Sequence, residues 1–127
     1  ERLQQLAADL GSGTDQKKNF RLRAGHILKN NPEISNILWF DANRTVIDSL
    51  PAGHSPDREI EAFGPPVTQK AFELAQRLGK RIYSEPFLLS GNVAHFEIAI
   101  PIYAERKFVG ALIAIYPLET LLIAPAR

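Results

Sequence analysis

Apolar residues recur along the first thirty positions at helical spacing. Leu3, Leu6 and Leu10 share one helix face, Gly11-Ser12-Gly13 interrupts, and Phe20, Ala24, Ile27 and Leu28 resume an i, i+4, i+7, i+8 stripe. The spacing predicts a long N-terminal helix over 1–31, open to a break at the glycines, each of which costs about 1 kcal/mol in a helix interior. Asn30-Asn31-Pro32 ends it, because proline disfavours helical geometry in the residue before it.

Beyond Pro32 the pattern shortens. Ile34 to Phe40 is aliphatic and aromatic, Asp41-Ala42-Asn43-Arg44 is polar, and Thr45 to Leu50 carries Val46 and Ile47, which predicts a strand, a tight turn and a returning strand. The stretch Pro51 to Pro66 holds four of the nine prolines together with Gly53 and Gly64, so no strand persists there. Within it, Ser55-Pro56-Asp57 has the chemistry of a helix start, and a short helix through Ile60 is expected. Val67, Ala71, Leu74, Ala75 and Leu78 then mark an amphipathic helix closed by Gly79. Arg81 to Leu89, Ala94 to Tyr103 and Phe108 to Tyr116 read as three further strands, with turns at Ser90-Gly91-Asn92 and Ala104-Glu105-Arg106-Lys107. The last strand alternates little, which predicts cover on both its faces. The expectation is an α+β fold with a five-stranded antiparallel sheet, a long N-terminal helix and a short C-terminal exit helix over 118–127.

Composition narrows the function. At 127 residues, 45% of them hydrophobic, the chain is the size of one domain (1–127), with a sheet core over 34–117 and an embedded loop and helix over 51–79. Fifteen Lys and Arg oppose fourteen Asp and Glu, and this near-neutral balance gives no reason to expect a nucleic-acid partner. There is no cysteine, hence no thiolate metal site or cysteine nucleophile. No apolar run reaches the ~20 residues a membrane helix needs. The sequence has no Gly-x-Ser-x-Gly, no His-Glu-x-x-His and no phosphate loop, and Gly11-Ser12-Gly13 lacks the strand and third glycine of a dinucleotide site, so a non-enzymatic domain without metal or cofactor is expected. Both termini read as helices cut from a longer chain.

Three stretches carry a resemblance. Asn36-Ile37-Leu38-Trp39-Phe40-Asp41-Ala42-Asn43-Arg44-Thr45-Val46-Ile47 looks like the first hairpin of extracytoplasmic PAS-like sensor domains, also called PDC or single Cache domains, of bacterial histidine kinases and related receptors. Gly79 to Pro86 is similar to their central strand, and Ile98 to Tyr103 with Phe108 to Leu122 is similar to their closing hairpin and exit helix. The resemblance implies a periplasmic domain of an inner-membrane protein, anchored on both sides and passing a ligand-induced change through membrane helices to a kinase. A homodimer through the N-terminal helix is expected, using the part of its apolar stripe that the sheet does not cover. A ligand-free dimerisation module and a cytoplasmic PAS or GAF-like signalling domain are the alternatives.

Candidate ligand contacts follow from alternation. On the fourth strand Phe96, Ile98, Ile100 and Ile102 point one way, and His95, Glu97, Ala99, Pro101 and Tyr103 the other. With the 51–66 loop folded over the second face, His95, Glu97 and Tyr103 would line a recess joined by Arg81 and Tyr83 from the third strand and closed by His54 or Arg58. Arg and His suit a carboxylate, which guanidinium binds through two parallel hydrogen bonds. Glu97 would oppose an anion unless protonated or paired, so organic acids, amino acids and amines all stay open as ligands.

Overall fold

A computed structural model describes residues 2–13, 15–51, 65–89 and 93–118. The N-terminal stripe forms two helices, α1 (Arg2–Leu10) and α2 (Gln16–Asn30), separated at the glycines. A Cβ on Gly11 would lie 1.8 Å from the Tyr103 carbonyl oxygen, so the turn presses against the sheet where only glycine fits. The turn folds α2 back on α1, and Arg23 pairs with Asp9 across the two helices. Leu3, Leu6, Leu10, Phe20, Ala24 and Ile27 are all buried in the protein's own core. The helix expected over 1–31, open to a break at the glycines, is thus a helical hairpin, and these six stripe residues pack within the chain.

Next come β1 (Asn36–Asp41) and β2 (Val46–Leu50), then α3 (Pro65–Leu78), β3 (Ile82–Tyr83), β4 (Phe87–Leu89), β5 (Val93–Ala104) and β6 (Lys107–Pro117). The strands form one antiparallel sheet in the order β2-β1-β6-β5-β3, with β4 also on β5. The first turn works as its sequence predicts: the Asp41 carboxylate accepts the Asn43 and Thr45 backbone N–H groups at 2.9 Å, and Arg44 takes φ 62°. The β5–β6 hairpin turns through Glu105 and Arg106 at φ 51° and 69°, the left-handed pair that matches strand twist. Gly79, at φ 67°, closes α3.

The expected third strand divides, giving six strands for the five anticipated. Pro86 offers no N–H for a ladder, and at Ser84 the side chain takes over part of the pairing. The Ser84 N–H donates to the Glu97 carbonyl, while Ser84 Oγ accepts the Glu97 N–H, both at 2.9 Å.

Helices cover both faces. On one, α1 and α2 bury Ile37, Trp39, Ile98, Ile100, Ile102 and Leu112, with Phe20 and Trp39 rings 5.6 Å apart. On the other, α3 packs Ala71, Phe72 and Ala75 on Leu38, Phe40, Ala99, Ala111, Ile113 and Ile115. The last strand is covered on both sides, as its weak alternation implies. Its Gly110 allows β1 to come close: a Cβ there would sit 2.0 Å from the Phe40 carbonyl oxygen. The short helix expected at 55–60, the turn at 90–92 and the exit helix beyond Leu118 lie outside the described residues. No helix among the described residues is long and apolar enough to cross a membrane.

Candidate functional site

The α3 face of the sheet carries the polar exceptions. Its central rows are apolar, but toward one end a row runs across three strands as Asn36 on β1, Ile115 on β6 and Glu97 on β5, joined by the pairs Asn36–Ile115 and Ile115–Glu97. Alternation puts all three side chains on one face. Leu38 and Phe40 follow Asn36 at two-residue steps, Ala99 follows Glu97, and those three pack under α3.

Glu97 is 2% exposed, and no described residue hydrogen-bonds its carboxyl. Burial pushes that carboxyl up to about 8 from its ordinary 4.5, with the positive charge of Arg44 pulling weakly the other way. At neutral pH Glu97 is thus largely an uncharged acid, able to donate as well as accept. Asn36 is buried too, and its Nδ2 has no hydrogen-bond partner among the described residues. Arg44 reaches over the Phe40 ring at 5.9 Å and donates to Thr68 Oγ1 at 2.6 Å, bringing a cation to the N-terminal half of α3.

His95 lies on the same face two residues from Glu97; its Nδ1 meets the Val93 carbonyl at 2.9 Å and its ring stacks on Phe87. At the sheet edge, a groove of about 360 Å³ opens between Val67, Lys70 and Leu74 of α3 and Ile82, Ser84 and Glu85. Ser84 ties that groove to Glu97 through their paired backbones.

The other expected contacts fall elsewhere. Tyr83 was expected beside His95 and Glu97, but β3 pairs Tyr83 with Ile98 and Ile82 with Ala99, so Ile82 takes the α3 face. The Tyr83 ring turns to the α1–α2 face, 58% exposed, where it stacks on Phe96 at 6.4 Å, while the residue also lines the edge groove beside Ile82 and Ser84. Arg81 stands half-buried just before β3. Tyr103 reaches the far end of α3, a long 3.5 Å from the Gln76 carbonyl, and six strand positions from Glu97 is about 20 Å. His54 and Arg58 lie outside the described residues. Sequence reasoning missed Asn36, Arg44 and Thr68. For Asn36 a signal existed: it stands in step with Leu38 and Phe40 at the head of an apolar strand, and so faces inward. Arg44 and Thr68 meet only through the fold. Among the described residues no three His, Asp or Glu side chains converge on a metal position.

The fold is that of known sensor domains. The chain superposes on the ligand-binding domain of the amino acid chemoreceptor PctC of Pseudomonas aeruginosa PAO1, solved with GABA, at a TM-score of 0.68 and 19% identity. That match covers 94% of this chain and 52% of the other. The PctB ligand-binding domain of the same organism, with L-Gln, gives 0.65 and 17% over 94% and 47%. The extracellular domain of a proposed histidine kinase, mmHK1S-Z2, gives 0.60 and 18% over 91% and 51%. The chain spans about half the length of these structures. No protein-family model matches the sequence, and no curated protein is similar to it. The architecture agrees with the PDC/Cache resemblance read from the hairpins.

Proposed function

We propose that this chain is a small-molecule-sensing domain on the periplasmic side of a bacterial inner-membrane receptor. Its neighbours in fold are ligand-binding domains of chemoreceptors and the extracellular domain of a proposed histidine kinase. The observation that carries the reading is the pair of polar side chains, Asn36 and Glu97, buried on the α3 face of a sheet whose other rows are apolar, Asn36 Nδ2 without a hydrogen-bond partner among the described residues and Glu97 with its carboxyl pushed up by burial. Buried polar groups are normally hydrogen-bonded, and exceptions gather where a ligand supplies the partner.

In this reading segments on both sides of the domain cross the membrane and join it to a signalling output, for which a histidine kinase is the first candidate. A ligand biases two arrangements of a homodimer by its differential affinity for them. With the inner stripe of α1 and α2 buried, the dimer would use the outer surface of α2, where Leu22 is 63% exposed.

Thermal shift against a panel of amino acids, organic acids and amines tests the sensing role. A ligand at a hundred times its Kd stabilises the folded state by about 2.7 kcal/mol. Silence across all three classes favours the ligand-free dimerisation module instead.

A further inference from the structure

A second groove, of about 220 Å³, opens on the helical-hairpin side between the start of α1, the connection after α2 and the end of β6. Leu3, Ile27 and Ile34 are buried and make its floor, and the Tyr116 ring, stacked on Phe96 at 5.1 Å, makes an apolar wall. Arg2, Asn31 and Glu33 complete the lining.

These polar residues set the groove apart. Arg2 and Glu33 are exposed and opposite in charge, yet they pair neither with each other nor with any other described residue. Elsewhere on the hairpin Arg21 is held by Asp48 and Arg23 by Asp9. Asn31 Nδ2 donates to the Ile27 carbonyl at 2.9 Å, which fixes the amide and leaves Oδ1 an acceptor without a donor among the described residues. The groove thus offers one cation and two acceptors over an apolar floor. A zwitterion satisfies all three, its anionic group bonding the Arg2 guanidinium and its ammonium bonding Glu33 and Asn31 Oδ1.

The place of the groove in the fold selects among zwitterions. Arg2 lines it, and Leu118, just beyond Tyr116 on the chain, is tied by its N–H to the Ala94 carbonyl at 2.8 Å. The start of α1 and the end of β6 therefore lie together. In the proposed receptor the flanking segments leave for the membrane from these two points, which holds this end of the domain against the bilayer.

We propose that the groove binds the phosphoethanolamine headgroup of a membrane phospholipid, with Arg2 on the phosphate and Glu33 and Asn31 on the ammonium. This assignment rests on the membrane-anchored reading and adds a lipid contact to it. The volume suits a headgroup: it falls below the roughly 300–1,000 Å³ of sites that enclose a drug-sized molecule, so the acyl chains stay outside. A choline headgroup has the same charges but no N–H for Glu33 and Asn31, and a phosphoglycerol headgroup brings no cation at all. Exposed charge pairs contribute little singly, so one free headgroup binds weakly; a membrane tether raises the effective concentration and makes the contact count.

Co-sedimentation of the whole chain with three kinds of vesicle tests the assignment: phosphatidylcholine alone, an equimolar mixture with phosphatidylethanolamine, and an equimolar mixture with phosphatidylglycerol. Partition into the phosphatidylethanolamine vesicles should exceed that into either of the others at least about threefold. Arg2→Gln and Glu33→Gln, at exposed positions where circular dichroism should show the fold intact, should each remove most of that margin. Lys17→Gln, at the far end of α2, should leave it unchanged. In solution, amide NMR shifts induced by glycerophosphoethanolamine should centre on Leu3, Asn31 and Glu33. Equal or stronger partition into phosphatidylglycerol vesicles overturns the assignment, because it shows cationic attraction with no part for Glu33. Shifts at the same amides from L-serine but none from glycerophosphoethanolamine overturn it in favour of a soluble zwitterion. Vesicle binding without preference, or none, overturns it outright. The thermal-shift panel reads the sensing role separately, so a ligand found there stands whatever the vesicles show.

Discussion

Replacing Glu97 by Gln should make the protein more stable at neutral pH, and the gain can be worked from burial alone. In the unfolded chain the carboxyl loses its proton near 4.5; in the folded protein desolvation holds the proton until about 8. A carboxyl raised in this way contributes its full share of stability below 4.5 and loses that share as the pH climbs to about 8, because over that window only the folded state still binds the proton. At pH 7 the window has run for about two and a half units at about 1.36 kcal/mol each, or about 3 kcal/mol. Glutamine resembles the neutral acid and does not titrate. Urea unfolding of both proteins at pH 4.5, 7 and 9 should therefore give nearly equal stabilities at the lowest pH and an advantage for Glu97→Gln of up to about 3 kcal/mol at pH 7, growing a little further by pH 9. Other groups titrate alike in the two proteins and cancel in the difference. A difference that stays flat with pH, or that favours the wild type as pH rises, would show Glu97 ionised and paired at neutral pH and would refute the reasoning.

Gly110→Ala should destabilise by at least about 3 kcal/mol in thermal unfolding, since its Cβ would fall 2.0 Å from the Phe40 carbonyl oxygen at φ 156°; a loss under about 1 kcal/mol would mean β1 and β6 separate easily. Arg21→Ala removes the two-bond grip on the buried Asp48 carboxylate, held at 2.9 and 3.0 Å, and should lower the urea midpoint by an amount worth about 1–3 kcal/mol, while Arg21→Lys restores only part of it. Leu22→Glu, on the exposed side of α2, should leave stability within about 0.5 kcal/mol and convert a sedimenting dimer to monomer; an unchanged dimer places the interface elsewhere.

Much of the fold was legible because each element is stated locally. Asp41 and Asn43 specify their turn through side-chain acceptors and left-handed tolerance, Gly79 marks a helix end, and the aliphatic run from Ala111 to Ile115 announces a strand covered on both sides. What escaped was register and reach. Alternation on the third strand was read correctly within itself, yet which of its two faces meets Glu97 depends on whether Ile82 or Tyr83 lies opposite Ala99. A shift of one residue exchanges them, and nothing local decides it. The helical stripe likewise told which residues are buried but not against what. Leu3 to Leu10 and Phe20 to Ile27 suit a two-chain seam or a folded hairpin equally well, and the contact of Gly11 with Tyr103 that selects the hairpin joins residues far apart in sequence.

The polar groups of the interior fall into two kinds. Asp48, buried, is held by Arg21 and by the Ser49 N–H; Thr68, also buried, takes a bond from Arg44; His95 meets a carbonyl. Each of these is what stability demands of a buried polar group. Asn36 and Glu97 are different, for one leaves a donor without a partner and the other keeps a proton out of its ordinary range, and a leucine or valine at either position would make a sounder sheet. Two such departures scattered through the core would be unrelated accidents of packing. Here they flank one residue, Ile115, in one cross-strand row and on one face, while the opposite face is filled by α1 and α2 without a comparable defect among the described residues. The destabilisation is thus concentrated in one row on the α3 face, and that concentration is what the proposed sensing role rests on.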